Sequence, residues 1–395
     1  MSNDIPKVEK DTFVAQTNKI IKALKTKAKI YDFSDWKQIV LAARNGDAAS
    51  IPNGQVFTVP HAVYGNIDFV VRRKNVDKVA GEPNRSTVTF QSKYLLSPNA
   101  NSSASTLQYD RPEAFISVST EIPANTVCKF TVVAYDHWTA GAKHFTATSA
   151  IPAGSKLCIS GYAYQSDLTS QKVNVYANAK ATSPSAQYTI ESGEGGATVD
   201  LGTWNSGSCN HTQRISYGSN NDAQANITQW LNGDSGPSYM DSIFVPKTDF
   251  DMMCTSFTSL KGFLGGFSDE FRSCLGLCAV HDITNTAFET GYTTNSDYTH
   301  NAYFWLPSRK EIYGSNETSS EDSEIQFPYY ANIGTTNADK LMYAKGASSP
   351  TTYWLRTPNA SYAYNVRICY AGGGGALNSN TAYDSVGVAP LGILT

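Results

Sequence analysis

Charge is what this chain has least of. Only 16% of its 395 residues are Asp, Glu, Lys or Arg, and the formal net charge is −3. A balance so close to neutral creates no bulk field to gather DNA or RNA, so nucleic acid is not expected as a partner. Apolar runs of membrane-spanning length are missing too. The first thirteen residues, MSNDIPKVEKDTF, hold three acidic side chains and no apolar segment of the kind a secretion signal needs. Membrane-spanning and signal-led secretion readings are therefore disfavoured. The seven cysteines (Cys128, Cys158, Cys209, Cys254, Cys274, Cys278, Cys369) contain no Cys-x-x-Cys; Cys274-x3-Cys278 is the tightest spacing. Zinc ribbons and thioredoxin-like sites need closer pairs, so buried free thiols are expected. The six histidines form neither His-x3-His nor His-Glu-x-x-His. No metal, cofactor or catalytic residue is expected. His281-Asp282 would supply half of a triad, but no Gly-x-Ser-x-Gly elbow accompanies it.

What the chain has in quantity is aromatic and small polar residues, with 23 Tyr, 17 Phe and 29 Gly. Low charge with many aromatics excludes a disordered chain, and the length suits two or three domains with a real core. The first thirty residues stand apart. Seven lysines accompany Phe13, Ile20, Ile21 and Leu24 at helical spacing, which reads as an exposed helical arm. A second helix is expected after Ser34 as N-cap, burying Trp36, Ile39, Val40 and Ala43 and ending at Gly46. From Gln55 the period changes to two: Ile67, Phe69 and Val71 share one face, as do Val88 and Phe90, giving hairpin-linked strands. Residues 113–204 alternate in the same way at the spacing of a small β-sandwich, with Glu191–Gly196 as exit linker. Helices return at 222–232 and at about 268–277, and the overall reading is α+β with an all-β insert.

Two local motifs invite chemistry and do not support it. Glu82-Pro83-Asn84 matches the tripeptide that calcium-dependent lectins use for sugar hydroxyls, but it stands in an early turn far from any Trp-Asn-Asp strand. Gly372–Gly375 lacks the Lys-Ser/Thr of a P-loop and suits a hairpin turn. The informative segment is Tyr353–Thr395, which holds only three charges: Arg356, Arg367 and Asp384. Between Asn359 and Val386 it is chiefly Asn, Ser, Tyr, Gly and Ala. Tyrosine with small polar residues is paratope chemistry: rigid amphipathic area beside adaptable hydrogen bonding.

The run Tyr353-Trp-Leu-Arg-Thr-Pro358 followed at a distance by Gly387-Val-Ala-Pro390 resembles the C-terminal signature of C-type-lectin-fold variable proteins. Those proteins are diversified by retroelements in phages and bacterial prophages. Further pieces fit in the same order: Arg214–Asn221 leading into Gln229-Trp-Leu-Asn232, Phe304–Arg309 with Glu311–Gly314, and Phe327–Tyr330. The stretches Trp36–Gly46 and Gly54–Phe57 also look like phage-borne members. The resemblance implies an α+β, C-type lectin (formylglycine-generating-enzyme-like) fold. Its expected layout is a helical arm at 1–50, a first lectin-fold part at 51–112, the β insert at 113–204, and the remainder at 205–395. The variable region spans about 353–390.

In that family, template adenines in AAC codons are rewritten, so one face varies on a fixed backbone. Such codons cannot yield Lys, Glu, Gln, Met or Trp, and the window Asn359–Val386 contains none of them. Carried across position by position, the ligand-binding candidates are Asn359, Ser361, Tyr362, Tyr364, Asn365 and Tyr370, then Asn378, Ser379, Asn380, Tyr383 and Asp384. Tyr353–Arg356 and Gly387–Pro390 would be invariant scaffold strands, with Arg356 tying loops together. The implied function is receptor binding by a phage or prophage protein, not catalysis. The implied partners are a bacterial cell-surface protein or glycan at one end and, through the N-terminal arm, a phage tail or partner subunit. A homotrimer suits a tail-tip protein, and the location would be the virion, or the bacterial cytoplasm before assembly. Two alternatives share the fold: a glycan-binding lectin, and an oxygenase-like enzyme. The latter needs a cysteine pair in the C-terminal core, where only Cys369 falls in the last hundred residues.

Overall fold

Helix α1 (Trp36–Arg44) starts one residue later than the sequence suggests. The Asp32 carboxylate captures both the Ser34 amide (3.1 Å) and its hydroxyl (2.7 Å), which occupies the expected cap. Asp35 caps instead, accepting from the Lys37 amide at 3.0 Å. The buried face is the expected one, Trp36, Ile39, Val40 and Ala43, and Gly46 ends the turn at φ +75°. This computed structural model describes residues 12, 14–19, 31–96, 106–110, 113–132, 141–160, 172–178, 181, 184–193, 198–204, 220–233, 262–284, 296–318, 325–360 and 365–395. Of the N-terminal arm, Thr12 and residues 14–19 are helical. Phe13, Ile20, Ile21 and Leu24 lie outside the described residues.

Strands β1 (Val56–His61), β2 (Gly65–Lys74) and β3 (Val88–Ser92) follow the period-two pattern, and β4 (Thr106–Gln108) is short. In its described residues the insert forms strands and turns and no helix. It comprises β5 (Glu113–Ser117), β6 (Thr126–Val132), β7 (Gly141–Ala147), β8 (Lys156–Ser160), β9 (Lys172–Tyr176), β10 (Ala186–Thr189), β11 (Glu191–Ser192) and β12 (Thr198–Trp204). These form two four-stranded sheets, ordered β10-β9-β8-β5 and β11-β7-β6-β12. The expected linker at Glu191 is partly strand: Glu191 and Ser192 pair with His144 and Lys143, and the His144 ring meets the Glu191 carboxylate at 2.8 Å. A local sequence of Gly, Ser and Glu reads as linker because pairing with a distant strand leaves no mark in it.

Beyond the insert come α2 (Asn226–Asn232), α3 (Asp269–Arg272), β13 (Cys278–Thr284), β14 (Ser296–Ala302) and β15 (Phe304–Trp305). They are followed by α4 (Arg309–Tyr313), α5 (Pro328–Asn332), β16 (Tyr353–Pro358), β17 (Asn365–Tyr370), β18 (Ala376–Thr381), β19 (Ser385–Gly387) and β20 (Leu391–Leu394). The expected helix at 222–232 is a 3₁₀ turn, an extended Ala225, then α2. Its stripe of Ala223, Ile227, Trp230 and Leu231 is buried as the spacing predicts. The helix expected over 268–277 stops at Arg272. Leu275 bridges to Leu394, and the Gly276 amide donates to the Ile393 carbonyl, so the C-terminal strand claims the segment. Val388–Pro390 is not strand either; it is the buried crossing that carries the chain from β19 to β20.

Two five-stranded sheets frame this part of the chain, β1-β2-β3-β20-β15 and β18-β17-β16-β19-β4. Their side chains feed the same two cores. Phe57, Phe69, Phe90, Trp354, Val366 and Ile368 join the larger core with α1, α2 and α3. Trp305, Tyr353, Leu355, Cys369, Leu391 and Ile393 join the smaller one on the opposite sheet faces. Alternation within β16 thus serves two cores at once, which is why Tyr353, Trp354 and Leu355 are all fully buried. The protein is α+β, mostly sheet with few helices. No described helix is long and apolar enough to cross a membrane. Cys128, Cys158, Cys274, Cys278 and Cys369 are buried free thiols as expected; Cys209 and Cys254 lie outside the described residues.

His61, at the end of β1, shows how closely the larger core is fitted. Its Nε2 lies 2.9 Å from the Phe263 carbonyl, and Nδ1 accepts from the Val63 and Tyr64 amides at 3.1 Å. These partners assign the proton to Nε2 and leave Nδ1 no room for a second one. Phe263 stacks on the ring at 5.1 Å and Phe267 meets it edge-on at 4.7 Å. Burial pushes the pKa down to about 4, against the opposing hydrogen bond to Phe263. Because the folded value lies below the unfolded one, the neutral ring's stability contribution is complete above about pH 6.5. It is lost as pH falls towards 4, at a cost approaching about 3 kcal/mol. Urea midpoints should therefore drop between about pH 7 and about pH 4.5, and His61→Gln should flatten that slope. An equal slope in the variant would show that the ring is not held neutral.

Candidate ligand-binding face

The candidate face is the β17–β18 hairpin, its β16 support and the loop between β16 and β17. Asn359 begins that loop buried at 6% exposure. Its amide donates to the Asn365 carbonyl at 2.8 Å, and its Nδ2 donates to Ser379 Oγ at 3.0 Å. The two ends of the loop are therefore clamped to each other. Ser361, Tyr362 and Tyr364 belong to the span between these clamps and lie outside the described residues.

Pairing of β17 with β18 sets Asn365 opposite Thr381, Arg367 opposite Ser379, and Ile368 opposite Asn378. Strand alternation then divides the candidates. Asn365 and Ser379 share the face that carries Arg367, whereas Asn378 and Asn380 share the face of Val366 and Ile368 at the rim of the larger core. Strand β18 is the sheet edge, and its residues are exposed or half-buried. The Ser379 amide donates to Asn378 Oδ1 at 2.8 Å and the Thr381 amide to Asn380 Oδ1 at 3.2 Å. The two asparagines thus occupy backbone donors that an edge strand would otherwise offer to another chain.

Tyr370 is exposed at 41%, and its ring lies across the turn that follows. A Cβ on Gly372 or Gly373 would fall within 3 Å of that ring, and one on Gly375 would strike the Asn337 carbonyl. Gly374 and Gly375 also take positive φ, at +66° and +88°. The glycine run is the expected hairpin turn. Tyr383 and Asp384 occupy the next turn: Asp384 accepts from Thr381 Oγ1 at 2.7 Å, and Tyr383 is buried at 7%. Of the described candidates, Tyr370, Asn378, Asn380, Asn365, Ser379 and Asp384 are open to solvent to some degree, and Asn359 and Tyr383 are interior.

The sequence did not single out the acid that organises this face. Glu317, in the segment after α4, receives a two-pronged bond from Arg367 (2.6 and 2.7 Å), one from Arg309 (2.5 Å), and the Ala360 amide (2.9 Å). Burial alone would raise its pKa; the Arg367 fork, the Ala360 amide and Arg309 outweigh burial and hold it below the ordinary value. Glu317 thereby ties α4, the 359–365 loop and β17 into one unit. The available sign was Arg367 itself, one of two cations in a charge-poor tail whose one acid is Asp384.

Beneath the face lies a buried ionic chain. Glu311, fully buried, caps α4 by accepting from the Ser308 amide (2.7 Å), bonds Arg356 (2.7 Å), and meets Arg73 of β2. Arg73 also binds both oxygens of Asp77 (2.6 and 2.8 Å). Burial opposes charge on both members of that pair, and mutual attraction outweighs it, raising the Arg73 pKa and lowering that of Asp77. Arg356 reaches on to the Leu306 carbonyl (2.9 Å) and the His281 carbonyl (3.3 Å), as its expected tying role requires. Glu82-Pro83-Asn84 is a turn closed by the Arg85 amide, which donates to the Glu82 carbonyl at 3.0 Å. Among the described residues no cluster of His, Cys, Asp or Glu could hold a metal ion.

Residues 205–395, just under half of the chain, match a family described as a domain of unknown function (DUF6273). The match begins immediately after β12 and covers the whole candidate face. No curated protein and no solved structure matches the chain.

Proposed function

We propose that this chain is a receptor-binding protein of a phage or prophage, built on a C-type lectin fold and diversified by a retroelement at its C-terminal face. The observation that carries the reading is the junction at β16–β18. Tyr353, Trp354, Leu355 and Arg356 are at most 2% exposed and anchored on both sheet faces, while the adjoining hairpin is polar, uncharged along β18 and open. A rigid support under a Tyr/Asn/Ser surface is what variable recognition needs, because side chains can change without moving the backbone. The Glu317 fork and the Asn359 clamp hold the two ends of the loop, at Ala360, Asn359 and Asn365.

The bound partner in this reading is a bacterial cell-surface protein or glycan, and the N-terminal arm attaches the chain to the virion. We favour binding over oxygenase-type catalysis. The Cys369 thiol is buried among Tyr353 and the carbonyls of Lys340 and Gly375, and burial pushes its pKa up, which disfavours the thiolate that copper chemistry requires.

Tyr383 is buried, so a test of the face must spare it. Replacing Tyr362, Tyr364 and Tyr370 together by alanine should weaken attachment to host cells at least about tenfold, with an unchanged thermal midpoint. Undiminished attachment by the folded triple variant would refute the reading. The flanking DNA supplies a second check: a near-copy of the codons for 353–390, differing at adenines and beside a reverse transcriptase gene.

A further inference from the structure

We propose that the inserted β block carries a separate site for a neutral carbohydrate ring. A cavity of roughly 490 Å³ opens at one end of the block, between the β7–β8 turn and the β9–β10 hairpin. That volume lies within the range of about 300–1,000 Å³ typical of small-molecule sites and leaves room for a mono- or disaccharide. Among the described residues that line it, no side chain is charged. Ile151, Pro152 and Val175 line it with carbon together with alanines, and the polar side-chain groups of its described lining are hydroxyls.

This lining selects by exclusion. A phosphate, uronic acid or ammonium group would lose its hydration and gain no counter-charge. A purely apolar ligand would leave the Ser149 and Tyr188 hydroxyls only their bond to each other. A pyranose satisfies both halves, with a C–H face for the Ile151–Pro152 wall and hydroxyls for the polar rim. The Ser149 and Tyr188 hydroxyls lie 3.0 Å apart and either can donate to the other. The pair therefore keeps one proton and several lone pairs available, in an order that can reverse to suit a sugar hydroxyl. Tyr188 is fixed in place by stacking on Phe145 at 5.5 Å, so its hydroxyl is presented without further ordering cost. Ala150, Ala177 and Ser185 are exposed at the mouth, which leaves the cavity open to a ligand arriving from solvent.

The full chain should be titrated with glucose, galactose, N-acetylglucosamine, maltose and lactose by calorimetry or saturation-transfer NMR. Saturable binding of at least one of them in the millimolar range is expected. Tyr188→Phe keeps the ring and removes the hydroxyl, and should weaken that binding about five- to tenfold. Ala177→Trp fills the mouth from an exposed position and should abolish it. The Tyr362/Tyr364/Tyr370 alanine variant should bind the sugar unchanged, which separates this site from the C-terminal face. The proposal is overturned if no sugar of the panel saturates, if the two insert variants bind as tightly as the original, or if sialic acid competes equally.

Discussion

Glu311→Ala should lower stability by about 3–5 kcal/mol. Glu311 is fully buried between two guanidiniums, of which Arg73 is 4% and Arg356 2% exposed. Alanine leaves Arg73 with Asp77 as its acid and takes from the buried Arg356 guanidinium its ion pair with Glu311 at 2.7 Å. The α4 cap is lost as well, since the same carboxylate accepts the Ser308 amide. Glu311→Gln preserves that cap and the packing while removing the charge, and should fall between the parent and the alanine variant. Urea unfolding of the three proteins at neutral pH measures the ranking. A loss below about 1 kcal/mol in the alanine variant would mean that water or a rearranged arginine compensates. Glu311 joins β2 of one sheet to β16 of the other through its two arginines, so under the proposed receptor-binding reading the variant should also weaken host attachment.

Trp354→Ala should cost a similar amount, about 3–5 kcal/mol, for a different reason. The indole is fully buried, meets Tyr109 edge-on at 5.5 Å, and donates from Nε1 to the Leu107 carbonyl at 2.8 Å. Its removal opens a cavity in the larger core and orphans the carbonyl that holds β4 near β16. Trp354→Phe refills part of the volume but not the hydrogen bond, and should recover more than half of the loss. Thermal and urea midpoints of the pair test this; equal midpoints for alanine and phenylalanine would show that the hydrogen bond, not the volume, dominates. Tyr109 also donates to Asp222 at 2.8 Å, so the cavity borders a second buried polar cluster.

The pH response separates into two windows. The His61 contribution fades between about pH 6.5 and about pH 4. The depressed Asp77 carboxyl contributes stability that is complete above its ordinary value and is lost only at lower pH, as it falls through the folded value. Early acid loss therefore reports His61, and loss at stronger acidity reports the ion pairs.

Much of the scaffold was legible from local pattern. The period-two runs from Val56, Ile67 and Val88 and the buried stripe of α2 follow from side-chain alternation and burial, which are written residue by residue, whereas the anchoring of Tyr353–Arg356 was expected from the family resemblance. The candidate hairpin and its glycine turn were legible for the same reason. Glu317 was not, since nothing in the spacing of Arg309, Glu317 and Arg367 says that three elements converge. The interior position of Tyr383 was also hidden, because a tyrosine in a polar window reads as surface until its neighbours are known.

The sequence by itself determined that this is an α+β chain with little charge, an all-β insert, and a polar, Tyr-rich C-terminal strand pair. Those properties depend on composition and short-range period. Tertiary structure alone decided which faces the candidate residues occupy, that Asn378 and Asn380 cap the β18 edge, and that Cys274–Gly276 pairs with the C-terminal strand rather than extending α3. Each of these depends on pairing between segments far apart in the chain, where register and hydrogen-bond competition outweigh local propensity.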